Sequence, residues 1–96
     1  MDAALHIPRI ANLLADPARA SMVWALIDGT MRPAGELAFA ANVSPQSASA
    51  HLAKLVDGGL LLSEAQGRHR YFRLASAEAA SLIESLAPAN RTPAIA

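Results

Sequence analysis

The sequence predicts a mainly α fold with one small β-hairpin, about five helices plus a two-stranded wing. Three observations carry this. Apolar residues recur with helical spacing in five short segments, each bounded by a Pro, Asp or Ser start and a Gly, Asn or Pro stop. The stretch from Ala34 to Leu74, AGELAFAANVSPQSASAHLAKLVDGGLLLSEAQGRHRYFRL, reads as helix, tight turn, second helix and hairpin. Its end, RHRYFR from Arg68 to Arg73, holds three arginines and His69 without an acid. Helix, turn and helix followed by a basic hairpin is the outline of a winged helix-turn-helix.

The elements follow in order. Pro8 suits a first helical turn, where its missing N–H costs nothing. Ile10, Leu13 and Leu14 then form one apolar stripe, and the first helix is expected to run to Ala15. Asp16-Pro17 restarts the chain, with Asp as N-cap and Pro at the first helical position. The second helix is expected from Pro17 to about Asp28, burying Met22, Val23, Leu26 and Ile27 and stopping at Gly29. Trp24, nearly opposite Met22, fits either partial burial or a subunit contact. Thr30 to Arg32 is a short connection with room for one extended residue, and Pro33 opens the third helix, which turns Leu37, Ala38 and Ala41 inward. Asn42 tolerates the left-handed conformation of a sharp turn, and Val43 plugs the corner.

Ser44 caps the fourth helix, expected over residues 45–57, with Ala48, Leu52, Leu55 and Val56 as its core stripe. Gly58-Gly59 ends it. Leu60 to Ser63 and Arg70 to Leu74 read as paired strands, bent at Ala65 to Arg68 with Gly67 supplying positive φ. Period-two alternation sends Phe72 and Leu74 to one side, Tyr71 and Arg73 to the other. Ser76 caps a fifth helix whose stripe is Ala79, Leu82, Ile83 and Leu86. Residues 1–87 are expected to form one domain and residues 88–96 a tail or linker.

Composition limits the function. Ninety-six residues make one small domain. Without Cys there is no disulfide, thiolate ligand or thiol nucleophile. Neither a secretion signal nor a membrane span is visible, so the protein is read as cytoplasmic, with no membrane partner. The formal charge is zero, from eight basic and eight acidic residues. Distribution outweighs that sum, because a neutral protein can present one positive face. The histidines His6, His51 and His69 lack metal-ligand spacing, so no metal and no cofactor are expected. No nucleophile with an oriented base and no phosphate loop points to an enzyme.

The outer face of the fourth helix shows Gln46, Ser47, Ala50 and Lys54, with Ser49 on its flank. Short hydroxyl and amide side chains permit close approach to base edges, and Lys54 reaches a phosphate. An Ala- and Ser-rich packing surface is the plainer alternative. Arg68, His69 and Arg70 at the hairpin tip suit phosphates or a narrow minor groove. A solvated tip that resists edge pairing is the alternative there. The stripes of the first and last helices fit either a two-fold interface or packing within the subunit.

These segments resemble the ArsR family of bacterial winged-helix transcriptional regulators. IANLLADPARASMVWALIDG is similar to the family's opening, with Asp16-Pro17 and Arg19 in place. SPQSASAHLAKLVDGGLL is similar to its recognition helix, and GRHRYFRL to the end of its wing. The resemblance covers about Ile10 to Leu86. It implies a homodimer joined through the first and last helices, with Leu5, Ile10, Leu13, Leu14, Leu82, Ile83 and Leu86 as contacts. It further implies a double-stranded DNA operator and a repressor's role, with the recognition helix in the major groove and the wing, residues 64–73, on the backbone or minor groove. The DNA-contacting set it implies is Ser44, Gln46, Ser47, Ser49, Ala50, His51, Lys54, Arg68, His69 and Arg70. Ala50 stands where many relatives carry Arg or another polar residue. His51 is expected to orient the helix or touch a phosphate rather than read a base. Family positions that bind metal through cysteine or histidine are empty of them, and the inducer is unknown. The alternative function is a winged-helix module that binds protein and not DNA.

Overall fold

The computed structural model describes residues 7–86. Leu5 and the segment 88–96, assigned above to the dimer contact and the tail, lie outside the described residues.

Helix α1 spans Ile7–Leu14 and α2 spans Pro17–Ala25. Asp16 caps α2 as expected: its Oδ1 accepts from the N–H of Ala18 at 2.8 Å and of Arg19 at 3.2 Å. Helix α2 ends about three residues before the expected Asp28. Leu26 leaves helical geometry at φ −102°, ψ 6°, which turns its fully buried side chain into the core. Asp28 meanwhile accepts from the N–H and hydroxyl of Thr30, at 3.1 and 2.7 Å. Such local side-chain bonds compete with a helix. Trp24 is half-buried against the core.

Arg32–Pro33 forms a short strand, β1. Two residues are too few for any periodicity to announce. Pro33 is tolerated because β1 lies at the edge of the sheet, and α3, Ala34–Ala41, starts after it rather than on it. Asn42 takes the left-handed conformation at φ 57°, ψ 48°. Its N–H reaches the Phe39 carbonyl at 3.1 Å, and that of Val43 reaches Ala38 at 3.0 Å. The two bonds satisfy the last carbonyls of α3 and turn the chain into α4, Pro45–Asp57.

The hairpin pairs β2, Leu61–Gln66, with β3, His69–Leu74. Gln66 opposes His69, so the loop is only Gly67-Arg68, tighter than the expected bend. Gly67 sits at φ +63°, the first central position that glycine fills in such hairpins. The sheet is three-stranded and antiparallel, ordered β1-β3-β2, where only the hairpin was expected. Helix α5, Ala77–Leu86, packs on β3.

The core joins Met22, Val23 and Leu26 to Leu37, Ala48, Leu52, Leu55, Leu60 and Leu61, all fully buried. It also takes in three residues assigned above to the dimer contact. Ile10, Leu13 and Ile83 are 1, 8 and 6% exposed within the single subunit. They have almost no surface left for a partner. Leu14 and Leu82 are half-buried and Leu86 is exposed. Ile7, not foreseen as a contact, is 61% exposed. A narrow helical stripe cannot serve both core and interface, and the single subunit claims its centre.

Gly58 marks a close approach of α1 to the end of α4. A Cβ there would run into Leu13 Cδ1 and lie 3.3 Å from the Lys54 carbonyl oxygen. Gly58→Ala is therefore expected to cost about 1–3 kcal/mol of stability in urea unfolding, as overpacking does. Gly35, in α3, has open space at its Cβ position. Gly35→Ala is expected to gain about 0.5–1 kcal/mol. Equal effects of the two changes would contradict this packing.

Candidate nucleic-acid interface

The interface is built from α4. Ser44 accepts the N–H of Ser47 at 3.1 Å, so its hydroxyl starts the helix before it does anything else. Burial of Ala48, Leu52 and Leu55 then sets the helix's rotation. Gln46, Ser47, Ser49, Ala50 and Lys54 are left exposed, as their spacing required. Groups on that face approach a partner without first leaving the core.

His51 differs from that set. It is half-buried, with Nδ1 3.2 Å from Arg19 Nη1 and Nε2 4.0 Å from Asp16 Oδ1. Its ring is turned to the start of α2, which fits an orienting part and not base reading. Arg19, absent from the candidate set, is thereby drawn into the site. Only its place in the family's opening marked it beforehand.

The cations separate into tied and untied. Arg9 pairs with Asp57 at 3.1 Å, and Arg32 with Asp28 and Glu36 at 3.2 and 3.3 Å. Arg19 Nε donates to the Leu13 carbonyl at 2.7 Å, and Arg73 Nη1 to the Leu74 carbonyl at 3.2 Å. Arg70 donates one bond, to Ser63 Oγ at 3.0 Å, and is exposed. Lys54 and Arg68 make no hydrogen bond or ion pair among the described residues. Among the described residues, positive charge available to an outside anion is thus concentrated at α4 and the hairpin tip.

Strand alternation divides the tip. Arg70 shares the face of Phe72 and Leu74. His69 shares that of Tyr71, meeting its ring edge-on at 6.5 Å between centroids. A groove of about 630 Å³ separates α4 from the wing, lined in part by Ser49, Val56, Ser63, Phe72, Arg68 and Arg70. Leu52, Val56 and Phe72 make its lining partly apolar, His69 joins the two arginines on the wing side, and the carboxylate Asp57 lies on the α4 side. No group of three or more His, Cys, Asp or Glu able to hold a metal occurs among the described residues. None of their helices is long and apolar enough to cross a membrane.

A helix-turn-helix whose second helix faces outward, followed by a hairpin wing with a basic tip, defines a winged helix-turn-helix domain. The chain belongs to the helix-turn-helix domain family, whose description matches residues 14–64. It is 52% identical over 81 residues to YdfF of Bacillus subtilis, an uncharacterized HTH-type transcriptional regulator. That match covers 84% of this chain and 36% of the relative, so the chain spans about a third of the relative's length. Among solved structures, it is similar to the homodimeric winged helix-turn-helix DNA-binding domain of Mb0332 from Mycobacterium bovis, a possible ArsR-family transcriptional regulator. Identity there is 28%, the TM-score 0.77, and coverage 83% of this chain and 73% of the other. Reduced HlyU from Vibrio cholerae gives 26% identity and a TM-score of 0.76, covering 83% of each chain. The ArsR-type winged-helix resemblance holds, and the family is one of DNA-binding regulators and not of enzymes.

Two carboxylates are held below their ordinary range. Asp16 is lowered chiefly by the hydrogen bond from the Arg19 N–H, and Asp28 by that from the Thr30 hydroxyl. A depressed folded-state pKa contributes stability above the unfolded carboxylate value and loses it as pH falls through the folded one. The unfolding midpoint is therefore expected to drop between about pH 5 and pH 2. Asp16→Asn combined with Asp28→Asn, which keeps capping oxygens but removes the titration, is expected to flatten that drop. An unchanged acid profile in urea titrations would count against these assignments.

Proposed function

We propose that this chain is the DNA-binding part of a cytoplasmic, homodimeric transcriptional repressor. The observation that carries the reading is the outward polar face of α4, flanked by Lys54, Arg68 and Arg70, on which the described residues make little or no claim. Each subunit lays α4 in a major groove, where Gln46, Ser47 and Ser49 meet base edges. Ala50 lies among them and offers only a methyl group. The wing arginines engage backbone phosphates across the groove beside α4. The dimer surface draws on the apolar remainder of α1 and α5, namely Ile7, Leu14, Leu82 and Leu86, together with Leu5. Two copies related by a two-fold axis present half-sites about one helical turn apart. The relatives' printed descriptions as DNA-binding or HTH-type regulators, one of them homodimeric, support this. They give the protein-interaction alternative no support.

The test is operator binding against salt. Each phosphate contact contributes about 0.9 to the slope of log affinity on log salt. Arg68→Ala with Arg70→Ala is expected to reduce the slope's magnitude by about 2 per subunit and to weaken all sequences alike. Gln46→Ala is expected to relax preference at one base pair, at a cost of about 1–3 kcal/mol, while leaving the slope unchanged. A double variant with full affinity and an unaltered slope would remove the wing from the interface.

A further inference from the structure

Three elements meet at one side chain. Arg19, in the first turn of α2, donates Nε to the Leu13 carbonyl near the end of α1, at 2.7 Å. The same guanidinium sets Nη1 3.2 Å from Nδ1 of His51, midway along α4. Its backbone N–H goes to Asp16 Oδ1, and that oxygen lies 4.0 Å from His51 Nε2.

A guanidinium carries donors and no acceptor. The contact therefore requires Nδ1 to present its lone pair, which puts the ring's proton on Nε2, toward Asp16. Only the neutral imidazole fits. His51 sits on the flank of α4 between the buried stripe and the exposed Ser47 and Lys54. A tether on that flank limits rotation of the helix about its axis. The other end of the tether is Leu13, next to Leu14 on the helix assigned above to the dimer contact.

We propose that Arg19 is a positioning residue, latching the recognition helix to the end of α1 through His51, and that the latch closes only while His51 is neutral. The proposal rests on the reading of α4 as the DNA-contacting helix. Protonation of His51 adds an N–H at Nδ1, so two donors of like charge face each other. Lys54, three residues on along α4, adds further positive charge. Among the described residues, the carboxylate of Asp16 lies within 4.0 Å of the ring, and it stands on the Nε2 side. The latch then opens, and α4, its buried stripe still packed, loses the restraint on its outer flank and gains small rotations about that stripe. Base readout needs a fixed pose, whereas phosphate attraction does not, so acid erodes discrimination before it erodes non-specific binding.

The experiment compares variants on two duplexes: one selected by the full chain from a random-sequence pool, and a scrambled duplex of equal length. Arg19→Gln and His51→Leu are expected to lose about tenfold or more in discrimination, with the salt slope on the scrambled duplex unchanged. His51→Gln, an acceptor that does not titrate, is expected to keep discrimination, also when the pH is lowered. Nitrogen-15 NMR of the wild-type imidazole, which needs no variant to fold, is expected to show the Nε2–H tautomer at neutral pH. Unchanged discrimination in folded Arg19→Gln would overturn the proposal. So would a slope lower by about one, the mark of a direct phosphate contact, or an Nδ1–H ring. If wild type retards neither duplex at low salt, it is the DNA reading that falls, and the tautomer alone then decides whether the latch exists.

Discussion

The structure depends on the burial of one stripe of α4. Ala48, Leu52 and Leu55 retain at most 1% of their surface, packed among α2, α3 and β2. At 3.6 residues per turn, fixing that stripe fixes what lies opposite it. The outward set of Gln46, Ala50 and Lys54 is a consequence of the core and not a separate design. Small residues make the fit possible: Ala38 and Ala48 are buried where α3 and α4 come together. Leucine at either place would overfill a close-packed interior. Asn42 then sets the angle between the helices, because its left-handed backbone turns the chain within two residues.

Charge is organised by subtraction. With zero net charge the protein has no general attraction for nucleic acid. Arg9, Arg19, Arg32 and Arg73 are engaged by carboxylates, carbonyls or an imidazole. Among the described residues, the cations left exposed are Lys54 on α4 and Arg68 and Arg70 at the tip of the wing. Their attraction is short-ranged at physiological salt, where the Debye length is about 8 Å. Such an arrangement favours binding in one orientation over indiscriminate adhesion to DNA.

Much of this was readable from the chain because it is local. Asp16-Pro17, Asn42 and Ser44-Pro45 each carry their own chemistry, and all three do in the structure what residue type demands. The outward residues of α4 followed from periodicity alone. What escaped the sequence is non-local. Strand β1 exists only because β3 is there to pair with Arg32 and Pro33. Helix α2 stops early because Leu26 is needed in the core. Ile10, Leu13 and Ile83 looked like interface because a stripe does not say which neighbour covers it. The tie between Arg19 and His51 spans 32 positions, which no spacing rule reaches. His69 stays with Arg68 and Arg70 in lining the groove, as its place in the tip suggested, while its ring also meets Tyr71 edge-on.

The central claim is that α4 and the wing tip form one continuous surface for a duplex. Amide NMR of the labelled chain, titrated with a selected duplex, tests it most directly. The account predicts shifts concentrated at Gln46, Ser47, Ser49, Ala50 and Lys54 and at Gly67 to Arg70, with the outer faces of α1 and α5 unmoved. Shifts confined to α1 and α5, with α4 silent, would contradict it.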